Sequence, residues 1–374
     1  MIVCYTMLPE KMMSMQKLQQ LKYLLIALIV ILALCVLGYA IYQLTLKNRN
    51  NKQSEEQLEI ENNIQGFDAI NGKYQYKLRD YYVMSSYNSC CGGGFNNNFI
   101  DYEPLKNVIK RGARVLDFEI YSWKTNTVVS ASDNGDFMKK GTYNSLPFAE
   151  VMKKVNMYAF SGSTCPNPTD PLFLHFRIKS TQQHVYDDMT HSLYQTFLNR
   201  KLGSEYAFEY EGENLGLVPL KELQGKVIII CSRTNNDMFK NTKLDEFVNI
   251  ASGGHFMREL RNYNVQYTHN HNELIDANKK NMAITMPDLT SSSKNMDASL
   301  HHTYGCQMAC MNFQNLDSNL QYYIQYFNDN HGAFALKPEP LRYTPKMMKV
   351  PTKQDPKLSY ARKNIKKPYF NHQI

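Results

Sequence analysis

The chain has 374 residues, 43% of them hydrophobic, which is enough apolar material to build one large domain or two ordinary ones. Its formal net charge of +8 is concentrated in residues 344–374, so the rest of the chain is close to neutral. Eight cysteines form no CxxC pair, and the histidine spacing matches no zinc-site pattern, which argues against a zinc-binding domain.

The first element is a membrane span predicted over residues 21–46, after a short N-terminal tail (residues 1–20). Tyr23 to Leu46 contains no charged residue. At ~1.5 Å per residue it spans roughly 36 Å, enough to cross a ~30 Å hydrocarbon core. A signal peptide is the alternative, but its apolar core would be shorter and followed by a small-x-small cleavage site. We therefore expect a single uncleaved anchor. Three lysines precede the span and three basic residues follow it, so charge does not decide its orientation.

Residues 47–76 are polar and charged and are interpreted as a juxtamembrane helix or linker. From about residue 77 to 343, short apolar runs alternate with amphipathic stretches. The predicted strands are Tyr81–Ser85, Arg114–Tyr121, Leu172–Ile178, Lys226–Cys231, Met282–Met286, Cys306–Phe313 and Ala333–Leu336. The predicted helices are Glu103–Arg111, Pro147–Ala159, Gln182–Arg200, Leu244–Ala251, Glu273–Lys280 and Asn319–Asn328. Strands that alternate with helices indicate a parallel sheet, and seven or eight such units fit an α/β fold of the (β/α)₈ barrel type.

Two stretches of this region carry specific motifs. Residues 305–314 read Gly-Cys-Gln-Met-Ala-Cys-Met-Asn-Phe-Gln, and a helix and Leu-Lys-Pro at 336–338 follow. Residues 112–119 read Gly-Ala-Arg-Val-Leu-Asp-Phe-Glu, and 85–89 read Ser-Ser-Tyr-Asn-Ser. Together they resemble the X and Y halves of the eukaryotic-type phosphoinositide-specific phospholipase C barrel. The resemblance implies a phosphoric diester hydrolase that uses two histidines and a calcium ion.

The resemblance also shows what this chain has lost. Asn88 matches a calcium-ligand asparagine, and Asp117 and Glu119 match two carboxylate ligands with the acidic types exchanged. Tyr87 stands where the first histidine belongs, and Val128–Ser132 lacks the second. Arg177 stands where a glutamate ligand belongs.

These substitutions change the expected chemistry of the site. A guanidinium in place of a carboxylate weakens calcium binding through missing ligation and through repulsion. Asp117 and Glu119 are two residues apart on one strand and so share a face. We predict that Arg177 pairs with both in place of calcium, and we expect neither a metal nor another cofactor, except calcium if the site is active. Tyr87, with an ordinary pKa near ~10, would be a poor base.

Three weaker candidates complete the set. His175 lies two residues before Arg177 and is an outside candidate for a replacement acid or base, although a buried structural histidine is the plainer interpretation. Ser292 and Arg233 are weak candidates for substrate binding. Gly92–Gly94 is interpreted as a flexible loop rather than a phosphate cradle, since no Walker lysine follows it.

The tail, residues 344–374, is expected to be disordered or extended. It has one acidic residue against eight basic ones: Lys346, Lys349, Lys353, Lys357, Arg362, Lys363, Lys366 and Lys367. An anionic membrane surface would attract it by ~1 kcal/mol per nearby basic residue, and an acidic protein would attract it as well. Nucleic acid is a less favoured partner, and a solvated tail without a partner is the plain alternative.

The sequence thus predicts a single-pass membrane protein with a phospholipase C-like barrel that is catalytically inactive and acts as a binding or structural module. The alternative is a divergent enzyme that cleaves phosphatidylinositol-type lipids with replaced acid and base groups. The absence of any Asn-x-Ser/Thr acceptor and of CxxC pairs favours a barrel on the cytosolic or virion-interior side. The abundance of Asn, Lys, Tyr and Ile is typical of AT-rich genomes, including those of many protists and large DNA viruses.

Overall fold

The computed structural model describes residues 9–68, 70–135, 139–207, 212–234, 236–290, 292–345 and 362–373, together with Asp355, Leu358 and Tyr360. It consists of two compact units, residues 1–342 and 343–374. The first holds one long helix and the barrel. The second is the basic tail.

The chain begins with α1, a continuous helix over Pro9–Glu55. Its apolar part is exposed from Leu18 to Leu44, and it is the one helix in the described part of the chain that is long and apolar enough to cross a membrane. This agrees with the predicted span. The predicted juxtamembrane segment is helical up to Glu59, because a short 3₁₀ turn at Glu56–Glu59 continues α1.

Twelve strands follow α1 among the described residues of the first unit. In chain order they are β1 (Tyr81–Val83), β2 (Ser85–Ser86), β3 (Val115–Trp123), β4 (Asn126–Ser130), β5 (Leu146–Pro147), β6 (Leu172–Lys179), β7 (Val227–Ser232), β8 (Ile250–Ser252), β9 (Met257–Arg261), β10 (Met282–Met286), β11 (Met308–Met311) and β12 (Phe334–Leu336). Eight of them form a nearly closed parallel barrel in the order β8-β7-β6-β3-β2-β11-β10-β9. The barrel is therefore of the predicted (β/α)₈ type.

Helices connect the strands on the outside of the barrel. They are α2 (Tyr102–Arg111), α3 (Phe148–Ala159), α4 (Gln183–Phe197), α5 (Asn262–Gln266), α6 (His271–Lys280), α7 (Ala298–Thr303) and α8 (Ser318–Asp329). Their ends carry the expected signals. Asp101 caps α2 by accepting a hydrogen bond from Tyr102 N, and α2 stops at Gly112, whose φ of +103° favours glycine.

Two predicted elements differ from the structure. The predicted helix Leu244–Ala251 is wrong: Lys243–Phe247 form a 3₁₀ helix, and β8 begins at Ile250 after a two-residue connection. The three buried residues of β8 are too few to show a strand period. The predicted strand Tyr81–Ser85 is split, because β1 pairs antiparallel with β12 at the amino-terminal end of the barrel while β2 joins the barrel itself.

The second unit contains a β-hairpin in the tail that was expected to be disordered. Its strands are β13 (Asn364–Lys367) and β14 (Phe370–Gln373), which pair antiparallel. Most of residues 346–361, and with them four of the eight basic residues, lie outside the described residues.

Candidate functional site

Three neighbouring strands bring the predicted site residues together inside the barrel. In the pairing of β3 with β6, Asp117 lies opposite His175 and Glu119 lies opposite Arg177. Since side chains alternate along a strand, all four point to the same, interior face. Tyr87 and Asn88 follow β2, the other neighbour of β3. The tertiary fold thus gathers residues that lie up to 90 positions apart in the sequence.

Arg177 is the centre of this cluster. Its guanidinium donates to both carboxylate oxygens of Asp117, with Nε–Oδ1 at 2.9 Å and Nη2–Oδ2 at 2.6 Å, and to Glu119 through Nη1–Oε1 at 2.5 Å. Nη2 also donates to Oδ1 of Asn88 at 2.9 Å. The two ion pairs expected from the sequence are therefore present, and both are fully buried.

The charges of the cluster stabilise one another. Burial opposes the ionised form of Asp117, but the attraction of Arg177 and the hydrogen bonds from His175 and Arg177 outweigh it and lower the pKa of Asp117 below its ordinary value. Burial likewise opposes the charged form of Arg177, and the carboxylates of Asp117 and Glu119 raise its pKa well above the usual range. Asp117 and Arg177 are therefore both charged at neutral pH.

Asn88 adopts a left-handed backbone conformation, with φ of +42°, which asparagine tolerates better than most residues. In this geometry its N–H donates to Oδ2 of Asp117 at 3.0 Å while its side-chain oxygen accepts from Arg177. The next residue, Ser89, donates its N–H to the carbonyl of Asp117 and accepts from the N–H of Asp117 through Oγ. The turn after β2 is thus fixed to the middle of β3.

Tyr87 covers the cluster from the mouth side of the barrel. The guanidinium of Arg177 lies 4.6 Å from the centre of its ring, and Phe95 packs edge-on against it. Its hydroxyl accepts a hydrogen bond from Nη1 of Arg261 at 3.2 Å. Burial raises the pKa of Tyr87, and Arg177 and Arg261 oppose this only in part. Tyr87 is therefore a neutral phenol that contacts two cations.

His175 is buried and has partners on both ring nitrogens. Nδ1 lies 2.7 Å from Oδ1 of Asp117, and Nε2 lies 2.8 Å from Oγ of Ser252. Ser252 donates in turn to Oε2 of Glu259 at 2.6 Å. Ser252 is on β8 and Glu259 on β9, so this chain of hydrogen bonds crosses the seam where the barrel is not fully paired.

No pattern in the sequence singled out Ser252, Glu259 or Arg261. Both strands that carry them were missing from the predicted elements. Tyr121 was also missed; it donates its hydroxyl to Oε2 of Glu119 at 2.6 Å. Its position two residues after Glu119, on the same strand face, was a usable signal.

The stretch Val128–Ser132 lies beside the site. Ser130 of β4 is the pairing partner of Glu119 of β3. Its hydroxyl shares a hydrogen bond of 2.6 Å with that of Thr142. A histidine expected in this stretch would therefore lie next to the cluster, and Ser130 provides a hydroxyl there instead.

The cluster is unsuited to calcium. Calcium takes six to eight oxygen ligands, mostly carboxylates and carbonyls. The oxygens that the family resemblance assigns to the ion belong to Asn88, Asp117 and Glu119, and each of these residues accepts a hydrogen bond from Arg177. A cation placed among them would face the guanidinium at close range, which is repulsive. The residues present do not fit the ion.

The two weak candidates for substrate binding lie in loops. Ser292 follows β10, and its hydroxyl accepts a hydrogen bond from the N–H of Lys294. Arg233 follows β7, and Nη2 of its guanidinium lies 3.9 Å from Oδ2 of Asp237. The contacts of Ser292 form a local turn.

The mouth of the barrel is closed over the cluster. Tyr87 and Arg177 each retain only 2% of their exposure. The small space beside them, lined by Asn88, Cys91, Asp117 and Ser130 among others, leaves no room for a water molecule. A Cβ at Gly135 would lie 3.6 Å from Leu289, so the loop after β4 reaches the loop after β10. In the described part of the chain, the packing around Arg177 leaves no opening for a lipid headgroup.

Family models for the two halves of one enzyme match the barrel. The model for the phosphatidylinositol-specific phospholipase C X domain matches residues 74–233, and the Y-domain model matches residues 225–340. Together they cover most of the chain, including every residue of the cluster. No curated protein sequence matches the chain with significance.

Solved structures give the same fold. PLC21 from L. pealei is 18% identical with a TM-score of 0.58, and the match covers 74% of this chain and 39% of that one. PLC21 from S. officinalis is 19% identical with a TM-score of 0.57, covering 75% and 39%. The chain thus spans about two fifths of the length of these structures.

Proposed function

The chain belongs to the phosphatidylinositol-specific phospholipase C family, and we propose that it is a catalytically inactive member that acts as a binding module at a membrane. The observation that carries this proposal is the position of Arg177. Its guanidinium takes up the oxygens of Asn88, Asp117 and Glu119 that a metal-dependent member would need for calcium. The two buried ion pairs hold β3 and β6 together inside the barrel, at the position where a metal-dependent member binds its ion.

The acid–base chemistry also lacks its groups. Cleavage of a phosphodiester by a neighbouring hydroxyl needs a base, an acid and positive charge at the phosphorus. Tyr87 keeps its proton at neutral pH, because burial raises its pKa. Arg177 is positive, but it is neutralised by two carboxylates. The closed mouth supports the same conclusion, since catalysis requires the substrate to reach these groups.

Attachment to a membrane is supported by α1. Its exposed face from Leu18 to Leu44 is almost entirely apolar, and in water such a surface would be costly. The barrel is proposed to lie on the cytosolic or virion-interior side. Seven cysteines of the described chain are free thiols, six of them buried, and such thiols persist in a reducing compartment.

The hairpin of the tail supports anionic lipid headgroups as a partner. The pairs Ile365–His372 and Lys367–Phe370 lie on one face of the hairpin, and the pairs Asn364–Gln373 and Lys366–Asn371 on the other. One face thus combines apolar and basic side chains, while the other is polar. Tyr369 at the turn is 84% exposed. An isolated two-stranded hairpin is marginal in water, so a surface that binds this face would stabilise it.

One observation favours the alternative, a divergent hydrolase. The imidazole of His175 is hydrogen-bonded to Asp117, a pairing that orients histidines in many catalytic sites. For His175 to act, the mouth would have to open, and one ring nitrogen would have to leave Asp117 or Ser252.

An activity assay separates the two functions. The full chain in detergent–lipid micelles is incubated with radiolabelled phosphatidylinositol and phosphorylated phosphoinositides, with and without calcium. We expect no more soluble inositol phosphate than from the Asp117→Asn variant, which removes a carboxylate that any version of the mechanism would use. Release well above that control, in either condition, refutes the inactive reading and supports the hydrolase.

A further inference from the structure

The membrane helix and the barrel are joined without a flexible link. In the lower part of α1 and the 3₁₀ turn that continues it, buried residues recur at helical spacing: Leu46, Asn50, Ser54 and Gln57 are each at most 6% exposed. These residues follow directly on the exposed apolar part, which ends at Leu44. The same helix therefore changes from an exposed apolar rod to a packed element of the barrel within about one turn.

The packed face of α1 lies along the loop after β2 and along α2. Lys47 pairs with Asp101 at 3.0 Å, and Asn51 donates to the same carboxylate at 2.9 Å. Asn107 of α2 donates to Oγ of Ser54 at 2.9 Å. Just beyond the end of α1, the buried guanidinium of Arg111 donates to the carbonyls of residues 57, 60 and 61. The contact is continuous over the whole length of α2.

Gly92 and Gly93 allow the closest approach between α1 and the loop after β2. A Cβ on Gly92 would lie 2.9 Å from Cβ of Asn50, and one on Gly93 would lie 2.8 Å from Oδ1 of Asn50. Neither position has room for a side chain. The glycine run after the site is thus packed closely against α1. At this point α1 packs against the loop that begins with Tyr87 and Asn88.

The direction of α1 follows from the order of these contacts. Asp101 and α2's first turn lie at the mouth of the barrel, because they follow β2, and α2 then runs to the opposite end, where β3 begins. Lys47 contacts Asp101, and Gln57 contacts Arg111 at the far end of α2. Going back along α1, the apolar part leaves the barrel on the mouth side. There Gln43 donates to the hydroxyl of Tyr143 at 3.2 Å, and the side chain of Tyr39, one turn earlier, hydrogen-bonds that of Tyr143 as well.

The rim of the mouth carries side chains suited to a lipid interface. Trp123 at the tip of the β3–β4 hairpin is 47% exposed, and Tyr143 and Leu289 are exposed to a similar extent. Nζ of Lys140 lies 4.6 Å from the ring of Trp123. Tryptophan and tyrosine are enriched where the hydrocarbon core meets the headgroups, and lysine reaches the headgroups themselves.

We propose that α1 holds the mouth of the barrel directly against the bilayer, so that the rim residues Trp123, Tyr143 and Leu289 contact lipid. This inference rests on the proposed membrane attachment. At ~1.5 Å per residue, the 20 residues from Tyr23 to Tyr42 span the ~30 Å hydrocarbon core, so the interface falls at Gln43 and Tyr143. The barrel has no spacer that would let it move away from the surface or turn its mouth elsewhere.

Trp123 tests the inference directly, since it is the only tryptophan in the chain. The full chain is reconstituted into vesicles of zwitterionic phosphatidylcholine with and without a lipid that carries a nitroxide quencher on its headgroup. We expect Trp123 to lose emission in the vesicles with quencher. The matched control is the double variant Trp123→Phe/Tyr194→Trp, which moves the reporter to the exposed end of α4, remote from the mouth. That reporter should keep its emission.

Two further measurements make the outcomes distinct. A short glycine–serine linker inserted after Leu44 should reduce the quenching of Trp123, because it uncouples the barrel from the span. Extraction of the vesicles with alkaline carbonate reports attachment independently. A chain that resists extraction but whose Trp123 is not quenched overturns the mouth-facing geometry alone. A chain that is extracted overturns the proposed membrane attachment, and this inference with it.

Discussion

Arg177 and Asp117 form a two-pronged ion pair in the interior of the barrel, with Nε–Oδ1 at 2.9 Å and Nη2–Oδ2 at 2.6 Å. The planar guanidinium matches the two carboxylate oxygens, and its remaining nitrogen reaches Glu119. This geometry turns a position suited to a metal ion into one filled by a side chain of the protein. Arg177 should therefore be important for the stability of the barrel, and it should prevent calcium from binding.

Removing Arg177 should strongly destabilise the barrel. Arg177→Ala leaves Asp117 and Glu119 buried and uncompensated, and breaking a buried pair in this way costs about 3–5 kcal/mol in the free energy of unfolding. Unfolding of the full chain in detergent can be followed by a thiol-reactive dye. The dye would report exposure of the six buried cysteines: Cys90, Cys91, Cys165, Cys231, Cys306 and Cys310.

The control for this measurement is Lys153→Ala, which breaks the exposed ion pair with Glu150 at 2.8 Å. An exposed pair contributes about 0–1 kcal/mol, so the unfolding curve should move little. Equal effects of the two variants would mean that the Arg177 cluster contributes no more to the free energy of unfolding than an exposed ion pair does.

Replacing Arg177 with glutamate should create a calcium response. Arg177→Glu removes the guanidinium and adds a carboxylate beside Asn88, Asp117 and Glu119, which together offer oxygen ligands of the kind that calcium prefers. Without calcium, the three carboxylates repel one another and the variant is less stable than the original chain. At ~100 times the dissociation constant, calcium would restore about 2.7 kcal/mol.

Thermal unfolding with calcium or with a chelator measures this. Arg177→Gln, which removes the cation but adds no carboxylate, should respond less. The unsubstituted chain should not respond. A calcium-dependent rise in its unfolding temperature would show that the ion binds despite Arg177, against the proposed role of that residue.

Lys337 should make stability depend on pH above neutrality. It is fully buried, donates to the carbonyl of Asn278 at 3.1 Å, and burial lowers its pKa to about 7. The unfolded side chain titrates near ~10.4, so between about pH 7 and 10 the unfolded state binds more protons than the folded state. This contribution therefore raises the free energy of unfolding as pH increases through that window.

The measurement is urea unfolding followed by circular dichroism at a series of pH values, for the original chain and for Lys337→Met. Buried cysteines act in the opposite direction, since burial raises the pKa of thiols such as Cys306. The difference between the two chains removes their contribution. It should grow in favour of the original chain from pH 7 to 10, and a constant difference would contradict the assignment.

Anionic lipid should protect the tail from cleavage by trypsin. In vesicles that contain phosphatidylserine, the basic residues and the aromatic turn of the hairpin would bind the surface, and trypsin would cut the tail more slowly than in zwitterionic vesicles. High salt should abolish the difference, because it screens the attraction.

A Tyr369→Ser/Phe370→Ser variant separates the apolar contribution from the charge, since it leaves every trypsin site in place. Its protection should be weaker at the same lipid composition. Equal cleavage of the unsubstituted tail in both kinds of vesicle would argue that the tail is solvated or binds an acidic protein instead.

Much of the architecture could be predicted because it depends on local patterns. Clear patterns of apolar residues mark the charge-free run Tyr23–Leu46, the helices α2, α3, α6 and α8, and the strands β3, β6, β7 and β10. Strands β8 and β9 were missed. β8 has three residues, and only Met257 of β9 is buried, so neither shows a period. Their place in the barrel is determined by their neighbours.

The sequence by itself determined the membrane-type helix and the family of the barrel, because each depends on residue types at fixed spacing along the chain. Even the partnership of Arg177 with Asp117 and Glu119 followed, since the strands that carry them were recognisable. Only the tertiary structure decided that Asn88 joins the same guanidinium, that Ser252 and Glu259 extend the network, and that Gly92 and Gly93 seat α1 on the mouth. These contacts join distant segments through close approach in space, which no local pattern encodes.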